Sequence, residues 1–241
     1  MSLKYNLKRL AIALLRHNVQ SSTNLPAFNQ PTLLRALYFA RLLSSVRNVE
    51  GAIVECGVGE GFGLAVWTAL SMVEPNHRLI WAFDSFEGFP KLSKDSDNMS
   101  VEESLSEYKA FTIPYVLATL QQFGISRSDI NRRIAFAKGY IPESLSLYDG
   151  KPVALINIDL DIYDSYKAAL EFFWDRLAPG GIAMFDEYNK AGDIHKWPGA
   201  QKAINEFLDA RNLRESLQRD PLYGNAYIQK PGLENRVQLV S

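Results

Sequence analysis

Val153 to Asp164 reads VALINIDLDIYD, an apolar run that ends in the carboxylates Asp159 and Asp161. Continuous runs rich in Val, Ile and Leu are typical of parallel strands that are buried on both faces. Strand-like and helix-like patterns also alternate along the rest of the chain. The sequence therefore predicts an α/β fold with a doubly wound, mainly parallel sheet of about seven strands, plus added N-terminal helices.

A second apolar run, Gly181 to Phe185, ends in Asp186 and Glu187. Open α/β sheets bind ligands at the carboxyl ends of their strands, so we expect both runs to deliver acidic groups to the same edge. Like charges repel and burying a charge costs free energy, which makes such a cluster unfavourable unless a cation offsets it. Hard divalent cations prefer oxygen ligands. The sequence therefore predicts a cation site at this edge.

Composition and charge narrow the class of protein. The 241-residue chain is 47% hydrophobic, which is enough for a large core and argues against disorder. Its formal net charge of -1 gives no indication of binding to nucleic acid. Cys56 is the only cysteine, which rules out a disulfide within the chain and favours a cytoplasmic location. The sequence predicts neither a signal peptide nor a membrane span.

We expect one domain over residues 1–241, beginning with a helical region over residues 1–47. Leucines recur at helical spacing, with cations between them, at Leu3, Leu7, Leu10 and Leu14. Such a stripe packs on the domain or on a partner subunit, or lies on a membrane surface; we favour packing, which offers a surface for a homodimer. Pro31 is placed to start a second helix.

The remaining elements follow from apolar periodicity and turn residues. Residues 86–110 are highly charged, lack periodicity and are too long for an ordinary connection, which indicates a lid. Helices are predicted at Tyr115–Phe123, at Ser165–Leu177 with Asp164 or Ser165 as its cap, and at Ala200–Ala210. The predicted strands are Ala52–Cys56, Leu79–Phe83, Arg133–Ala137, Val153–Ile158 and Ile182–Phe185, with a closing antiparallel hairpin of Leu213–Gln218 and Ala226–Lys230.

A glycine-rich loop, Glu55 to Gly63 (ECGVGEGFG), follows the first predicted strand and precedes a helix. Glycines there allow a tight turn and close approach of a ligand to the positive end of the helix. The GxGxxG pattern of dinucleotide-binding loops fails in both registers, because Phe62 or Leu64 stands at its sixth position, and the loop lacks the Gly-Lys-Ser/Thr of a P-loop. The remaining pattern, ExGxGxG, resembles motif I of class I S-adenosylmethionine (SAM) methyltransferases.

Four further segments resemble, in the same order, the macrocin O-methyltransferase family of these enzymes. Phe83–Pro90, FDSFEGFP, resembles its DSFEGLP signature, and Lys138–Leu145, KGYIPESL, resembles its KGxFxxTLP segment. Ile158–Ser165, IDLDIYDS, resembles its IDxDLYxS block, and Pro179–Tyr188, PGGIAMFDEY, resembles its PGGxxxxDDY block. The resemblance covers roughly residues 51–208.

The resemblance implies a class I, Rossmann-like methyltransferase fold and Mg²⁺-assisted transfer of a methyl group from SAM to a hydroxyl of a small molecule, often a sugar of a natural product. It implies that Asp161 is the general base and that the metal ligands are Asp159, Asp186 and Glu187. It also implies a set of residues that hold SAM: Glu55, Gly57, Gly59 and Gly61 on the methionine side, Asp84 and Ser85 on the ribose side, and Gly139 and Tyr140 near the adenine.

Glu187 departs from the family, which usually has a second aspartate at this position. Glutamate still offers a hard oxygen ligand but reaches one methylene further. Metal-independent methyl transfer and SAM binding without turnover are therefore alternatives, and a nicotinamide-dependent oxidoreductase is a weaker one because of the glycine register. Asp161 has an alternative role as a helix-capping or solvated carboxylate, and Asp84 as a surface residue. His195, on a loop beside Trp197, either touches the substrate or is solvated.

Overall fold

A computed structural model describes residues 29–90, 97, 111–188 and 197–232. It contains six α-helices and seven strands within these ranges. In chain order they are α1 (Gln30–Ser45), β1 (Ala52–Cys56), α2 (Phe62–Val73), β2 (Ile80–Asp84), α3 (Ile113–Gln122), α4 (Arg127–Arg133), β3 (Ile134–Lys138), β4 (Val153–Ile158), α5 (Tyr163–Arg176), β5 (Leu177–Phe185), α6 (Pro198–Ala210), β6 (Leu217–Arg219) and β7 (Ala226–Gln229).

The strands form one seven-stranded sheet in the order β3-β2-β1-β4-β5-β7-β6. Strands β1 to β5 pair in parallel, and β7 pairs antiparallel with both β5 and β6. The chain order reverses between β1 and β4, which is where an open sheet of this kind binds its ligand. The predicted α/β class, the seven strands and the antiparallel closing edge are confirmed.

The apolar runs form central strands because both of their faces are covered. Every residue of β1 and of β4 is buried. On one face Phe39 of α1 stacks on Trp67 of α2, with ring centroids 4.1 Å apart. On the other face Tyr166 and Phe173 of α5 pack with Phe207 of α6. The two layers hold the carboxyl ends of the strands rigidly at one edge of the sheet.

Helix α1 begins where the sequence predicts the second N-terminal helix. Asn29 caps it, because its Oδ1 accepts the N–H of Thr32 at 3.0 Å while Thr32 Oγ1 accepts the N–H of Asn29 at 3.0 Å. Pro31 lies in its first turn, where a missing N–H costs nothing. The predicted leucine stripe before this helix, and most of the predicted lid, lie outside the described residues.

Most other bounds differ from the prediction by one or two residues, and two larger differences have a visible cause. Strand β5 begins at Leu177 instead of Ile182, because the N–H of Gly180 donates to Lys230 O and the N–H of Lys230 donates to Gly181 O, which extends the pairing through the glycines. The segment before β6 starts as a short 3-10 helix, Arg214–Ser216, which leaves β6 only three residues long. No helix in the described ranges combines the length and apolar character needed to cross a bilayer.

Candidate active site

A cavity of about 670 Å³ opens at the carboxyl ends of the parallel strands. Its wall combines the glycine-rich loop after β1, the turn after β2, the segment after β3 and the loop after β4. Helix α1 adds Pro31, Thr32 and Arg35, and the β6–β7 turn adds Tyr223. The fold therefore brings the predicted donor-binding segments and the acidic loop after β4 together around one cavity.

Asp84 ends β2 and holds the glycine-rich loop in place. Its Oδ2 accepts the N–H groups of Val58 at 2.8 Å and Gly59 at 3.1 Å, and its Oδ1 accepts the N–H of Phe86 at 2.7 Å. Asp84 also lines the cavity. Asp84 thus fixes the shape of the glycine-rich loop. It also lies where the ribose contact is predicted.

The three predicted loop glycines have different surroundings. Gly57 has a φ of +88°, and a Cβ there would overlap the carbonyl oxygen of Asp159 on the neighbouring strand end. Gly59 has a φ of +52°, faces open space and lines the cavity. Gly61 is the N-cap of α2 and has a left-handed conformation. A Cβ at Gly61 would lie 3.0 Å from Val116 Cγ1 of α3. Gly61 is not among the residues that line the cavity. Its place in the site is therefore to start the helix.

Glu55 is a buried acid at the end of β1, with 2% of its surface exposed. Gly63 makes room for it, because a Cβ at Gly63 would overlap Glu55 Oε1. Its Oε2 is buried and makes no hydrogen bond of ordinary geometry among the described residues, although the Trp67 side chain is near enough to help lower the pKa of Glu55. Burial raises the pKa of Glu55 well above its usual value, and the positive charge of Arg35 opposes that rise. A cationic ligand group would satisfy this acid.

The predicted ribose and adenine contacts also border the cavity. The Ser85 hydroxyl donates to Gly88 O and accepts the N–H of Glu87 at 3.1 Å, so it shapes the turn after β2. Gly139 has a φ of +144° and donates its N–H to Asp84 O at 3.0 Å. Tyr140 follows it on the same wall. Ser85, Gly139 and Tyr140 thus lie together on one cavity wall, where the ribose and adenine contacts are predicted.

Acidic side chains meet at the ends of β4 and β5, as predicted. Carboxylate oxygens of Asp159, Asp161 and Glu187 lie within 4.8 Å of one another. Asp186 stands beside this group: its Oδ1 accepts a hydrogen bond from Asn225 Nδ2 at 3.1 Å. The structure therefore groups the predicted base with two of the three predicted metal ligands.

Glu187 uses its extra methylene to reach the loop after β4. Its Oε1 accepts the backbone N–H of Asp161 at 2.8 Å, which supports a φ of +65° at Asp161. Its Oε2 is buried and lacks a hydrogen-bond partner within the described part of the chain. Burial, together with the charges of Asp159, Asp161 and Asp186, raises the pKa of Glu187 well above its usual value. An unsatisfied carboxylate oxygen in this cluster fits a cation, so the donor set suits a hard divalent ion.

Arg35 is a site residue that the sequence analysis missed. One of its terminal nitrogens, Nη2, lies 2.6 Å from Asp159 Oδ2 and 3.4 Å from Asp186 Oδ1. Burial alone would lower the pKa of Arg35, but the charges of Asp186 and Asp159 raise it well above its usual value. Arginines are common on helices, so the sequence gives no sign that this one is special. It reaches the acidic cluster because α1 packs beside the carboxyl ends of β4 and β5.

Helix α5, which follows the acidic loop, begins at Tyr163, two residues before the predicted start. The N–H of Tyr163 donates to Asp97 Oδ1 at 3.2 Å, a contact from within the predicted lid. His195 lies outside the described residues. Its role stays a prediction.

The N-cap of α5 is Ile162, whose side chain makes no capping hydrogen bond, so the predicted cap at Asp164 or Ser165 is wrong, and so is the alternative capping role of Asp161. A solvated role of Asp161 stays a prediction.

A family model described as macrocin-O-methyltransferase matches residues 38–227 of the chain. Mycinamicin III 3''-O-methyltransferase of Micromonospora griseorubida is 27% identical over 172 residues, which are 70% of this chain and 65% of that enzyme. The Streptomyces olivaceus 4'-O-methyltransferase of 8-demethyl-8-(2,3-dimethoxy-alpha-L-rhamnosyl)-tetracenomycin-C is 31% identical over 144 residues, 58% of this chain and 54% of that enzyme. The chain thus spans less than two thirds of the length of these relatives.

Two solved structures share the fold. The calicheamicin methyltransferase CalS11 aligns with a TM-score of 0.67 and 26% identity over 95% of this chain and 93% of that one. The O-methyltransferase NovP aligns with a TM-score of 0.68 and 20% identity over 83% of this chain and 80% of that one. The predicted class I methyltransferase fold is confirmed.

Proposed function

This chain belongs to the macrocin-O-methyltransferase family, and from that premise we propose that it transfers a methyl group from SAM to a sugar hydroxyl of a small natural product or glycoconjugate, assisted by Mg²⁺. The observation that carries the proposal is the single cavity bordered both by the glycine-rich loop and by Asp159 and Asp161. A nucleotide donor and a hydroxylated acceptor would meet there, next to the acidic cluster.

The sugar acceptor is supported by the relatives. The Streptomyces olivaceus enzyme carries a rhamnosyl group in the name of its substrate. Thr32 and Tyr223 line the same cavity as the glycine-rich loop and the acidic loop, and the acceptor would bind against them. A cytoplasmic location and a homodimer remain predictions from the sequence.

SAM would be held by the carboxylate of Glu55 and by the backbone of the glycine-rich loop, with further residues beside its ribose and adenine. Glu55 would accept the amino end of the methionine part, which would satisfy its buried Oε2. Gly57 and Gly59 would let the backbone approach the ligand, and Asp84 would hold their loop and face the ribose. Ser85, Gly139 and Tyr140 would border the ribose and adenine. Gly61 would act by starting α2.

The metal site would use Asp159, Asp186 and Glu187. A divalent cation at this position supplies positive charge that lowers the pKa of a nearby hydroxyl and fixes its orientation. Asp159 and Asp186 leave the ends of adjacent strands, while Glu187 comes from the buried side of the cluster.

Asp161 would be the general base. It lines the cavity, and its hydrogen bond to Glu187 fixes the backbone that carries it. As the acceptor oxygen attacks, the new O–CH₃ bond forms, the C–S bond of SAM breaks, and the hydroxyl proton passes to the Asp161 carboxylate. The products are a methyl ether and S-adenosylhomocysteine. The protein contributes mainly by aligning oxygen, methyl carbon and sulfur.

Metal-independent transfer is the second candidate, and Arg35 is the observation that favours it. Its guanidinium already places a positive charge between Asp159 and Asp186. A guanidinium charge there would stabilise part of the negative charge that develops on the acceptor oxygen, as a bound metal ion would.

Methyl transfer from labelled SAM to a panel of rhamnosylated and other glycosylated acceptors tests the proposal. We expect labelled methyl ether with Mg²⁺ and its loss with EDTA. Turnover that resists EDTA would favour the metal-independent candidate. Binding of S-adenosylhomocysteine without labelled product from any acceptor would contradict catalysis and favour the non-catalytic alternative.

A further inference from the structure

Arg35 occupies the position between two of the proposed metal ligands. Its Nη2 alone contacts both Asp159 Oδ2, at 2.6 Å, and Asp186 Oδ1, at 3.4 Å. The two carboxylates belong to the ends of adjacent strands, so one positive atom bridges them as a bound cation would. The Arg35 Nε is buried and makes no hydrogen bond within the described ranges, so it takes no part in holding either carboxylate.

The local charge explains why a cation is held there. Asp161 and Glu187 lie within 4.8 Å of Asp159, and the buried Glu55 also interacts with Arg35. The Arg35 side chain is 23% exposed, and its guanidinium lies 5.4 Å from the Phe39 ring centroid. Phe39 is fully buried, which anchors this part of α1. Arg35 therefore brings a tethered positive charge to a cluster of negative ones.

A divalent ion and this guanidinium cannot share the position. Two cations a few ångströms apart repel strongly where water is partly excluded. A metal ion bound between Asp159 and Asp186 would also need the same oxygen atoms that Arg35 Nη2 contacts. One of the two cations must leave when the other binds.

We propose that Arg35 is the resident competitor of the divalent cation: it pairs with Asp159 and Asp186 in the metal-free protein, and metal binding releases its guanidinium. This inference rests on the proposed metal site and adds a role for α1 to it. Arg35 lines the cavity together with Thr32 and Tyr223. Once released, the guanidinium has N–H groups free to donate to another acceptor in the cavity.

The test measures Mn²⁺ affinity, because bound and free Mn²⁺ are distinguished by electron paramagnetic resonance without any turnover. The variants are Arg35→Met, which keeps much of the length and removes the charge, and Arg35→Lys, which keeps the charge. Arg41→Met is the matched control, since Arg41 lies on the same helix but pairs with Asp220, outside the acidic cluster. Thermal unfolding of each metal-free variant checks that it folds.

We expect Arg35→Met to bind Mn²⁺ about tenfold or more tightly than wild type, because its competitor is gone. Arg35→Lys should fall between the two, and Arg41→Met should match wild type. Equal or weaker binding by a folded Arg35→Met, beside measurable binding by wild type, would overturn the role of Arg35 and leave the metal site standing. Absence of Mn²⁺ binding from every variant would overturn the metal site and this inference with it.

A second measurement uses the wild-type protein and does not depend on a variant that folds. The guanidinium N–H resonance of Arg35, assigned by its absence from the Arg35→Lys spectrum, is followed during a titration with Mg²⁺, which is diamagnetic. Release of the side chain predicts a saturable shift of this resonance, while that of Arg41 stays in place. An Arg35 resonance that does not move while Mg²⁺ saturates the site would contradict the proposal.

Discussion

Glu187 shows how one side chain can shape the carboxylate cluster at the ends of β4 and β5. An aspartate at this position would be one methylene shorter, whereas the glutamate reaches Asp161 N–H and keeps its second oxygen in the cluster. The residue therefore links the backbone of the proposed base to the proposed metal site. Its departure from the family pattern is accommodated by the bend at Asp161.

Replacing Glu187 by Gln should separate these two roles. The amide oxygen can still accept the Asp161 N–H, while the negative charge is lost. We expect the folded state to persist, because a neutral group is easier to bury than a carboxylate beside like charges. Mn²⁺ affinity should fall by about tenfold or more, since a charged ligand is removed. Calorimetric titration measures this, with the exposed Glu143→Gln as control; unchanged affinity would exclude Glu187 as a ligand.

Asp161→Asn tests the proposed base. The side chain keeps its size but cannot take a proton, so we expect turnover to fall by about 10²–10⁴-fold. Binding of S-adenosylhomocysteine should stay close to that of wild type, because Asp161 is not among the residues proposed to hold SAM. Single-turnover transfer and calorimetry give the two readings. A variant with normal turnover would assign Asp161 the alternative role of a solvated carboxylate.

Asp220 makes the stability of the β6–β7 turn depend on pH. It is buried, accepts the N–H groups of Leu222 at 2.8 Å and Tyr223 at 2.6 Å, and pairs with Arg41. Burial would raise its pKa, but these hydrogen bonds and Arg41 outweigh burial and lower it. The folded state thus prefers the ionised form, so Asp220 stabilises the fold above the ordinary carboxyl pKa and loses this effect as the pH falls through the folded pKa.

Asp220→Asn should therefore cost about 1–3 kcal/mol of unfolding free energy at pH 7 and much less at a pH below the lowered folded pKa of Asp220. Urea unfolding at both pH values measures the difference. Because the turn carries Tyr223 into the cavity, acceptor binding should weaken as well. The same loss of stability at both pH values would show that the charge of Asp220 does not matter.

At the scale of elements, the glycine-rich loop depends on the close approach of β1 and β4. Gly57 lies against the Asp159 carbonyl oxygen, whereas Gly59 faces open space, and both have positive φ. We expect Gly57→Ala to destabilise the protein by about 2–4 kcal/mol through overlap and strain, and Gly59→Ala by about 1 kcal/mol through strain alone. Thermal and urea unfolding of the ligand-free variants compares them. Equal losses would mean that the overlap at Gly57 is relieved by a small shift.

The elements also show what the sequence can and cannot predict. The bounds of β4 and β1 agree with the prediction because both strands are buried on each face, so every residue carries the apolar signal. The start of β5 was missed because its glycines pair with a segment about fifty residues away. The start of α5 was missed for a similar reason, since Asp97 supplies its contact from a distant loop. Local patterns cannot report such long-range contacts.

At the scale of the whole molecule, topology makes the site predictable. Motifs at the ends of β1, β2 and β4 had to meet at one edge once the sheet was parallel, and the structure brings them around one cavity. Arg35 was not predictable in the same way, because α1 precedes the sheet and its docking depends on Phe39 and Trp67. The central strands thus determine where the site lies, and α1 adds the positive charge of Arg35 to the acidic cluster.

The proposed donor site should stabilise the entire fold when it is filled. S-adenosylhomocysteine at about 100 times its dissociation constant should raise the unfolding free energy by about 2.7 kcal/mol, since it binds the folded state alone. Thermal unfolding with increasing ligand measures this shift, with adenosine alone as the weaker-binding control. An unfolding temperature that does not depend on ligand concentration would argue against the site.

Calorimetric titration of the wild-type protein with S-adenosylhomocysteine tests the donor site most directly. We expect saturable binding of one ligand per chain, weakened in Glu55→Gln because the buried charge that would hold the amino end is lost. Saturable heat in wild type and a weaker affinity in a folded Glu55→Gln variant would support methyl-donor binding in this cavity. Absence of binding by the folded wild-type protein would contradict it and leave the acidic edge without its proposed reaction.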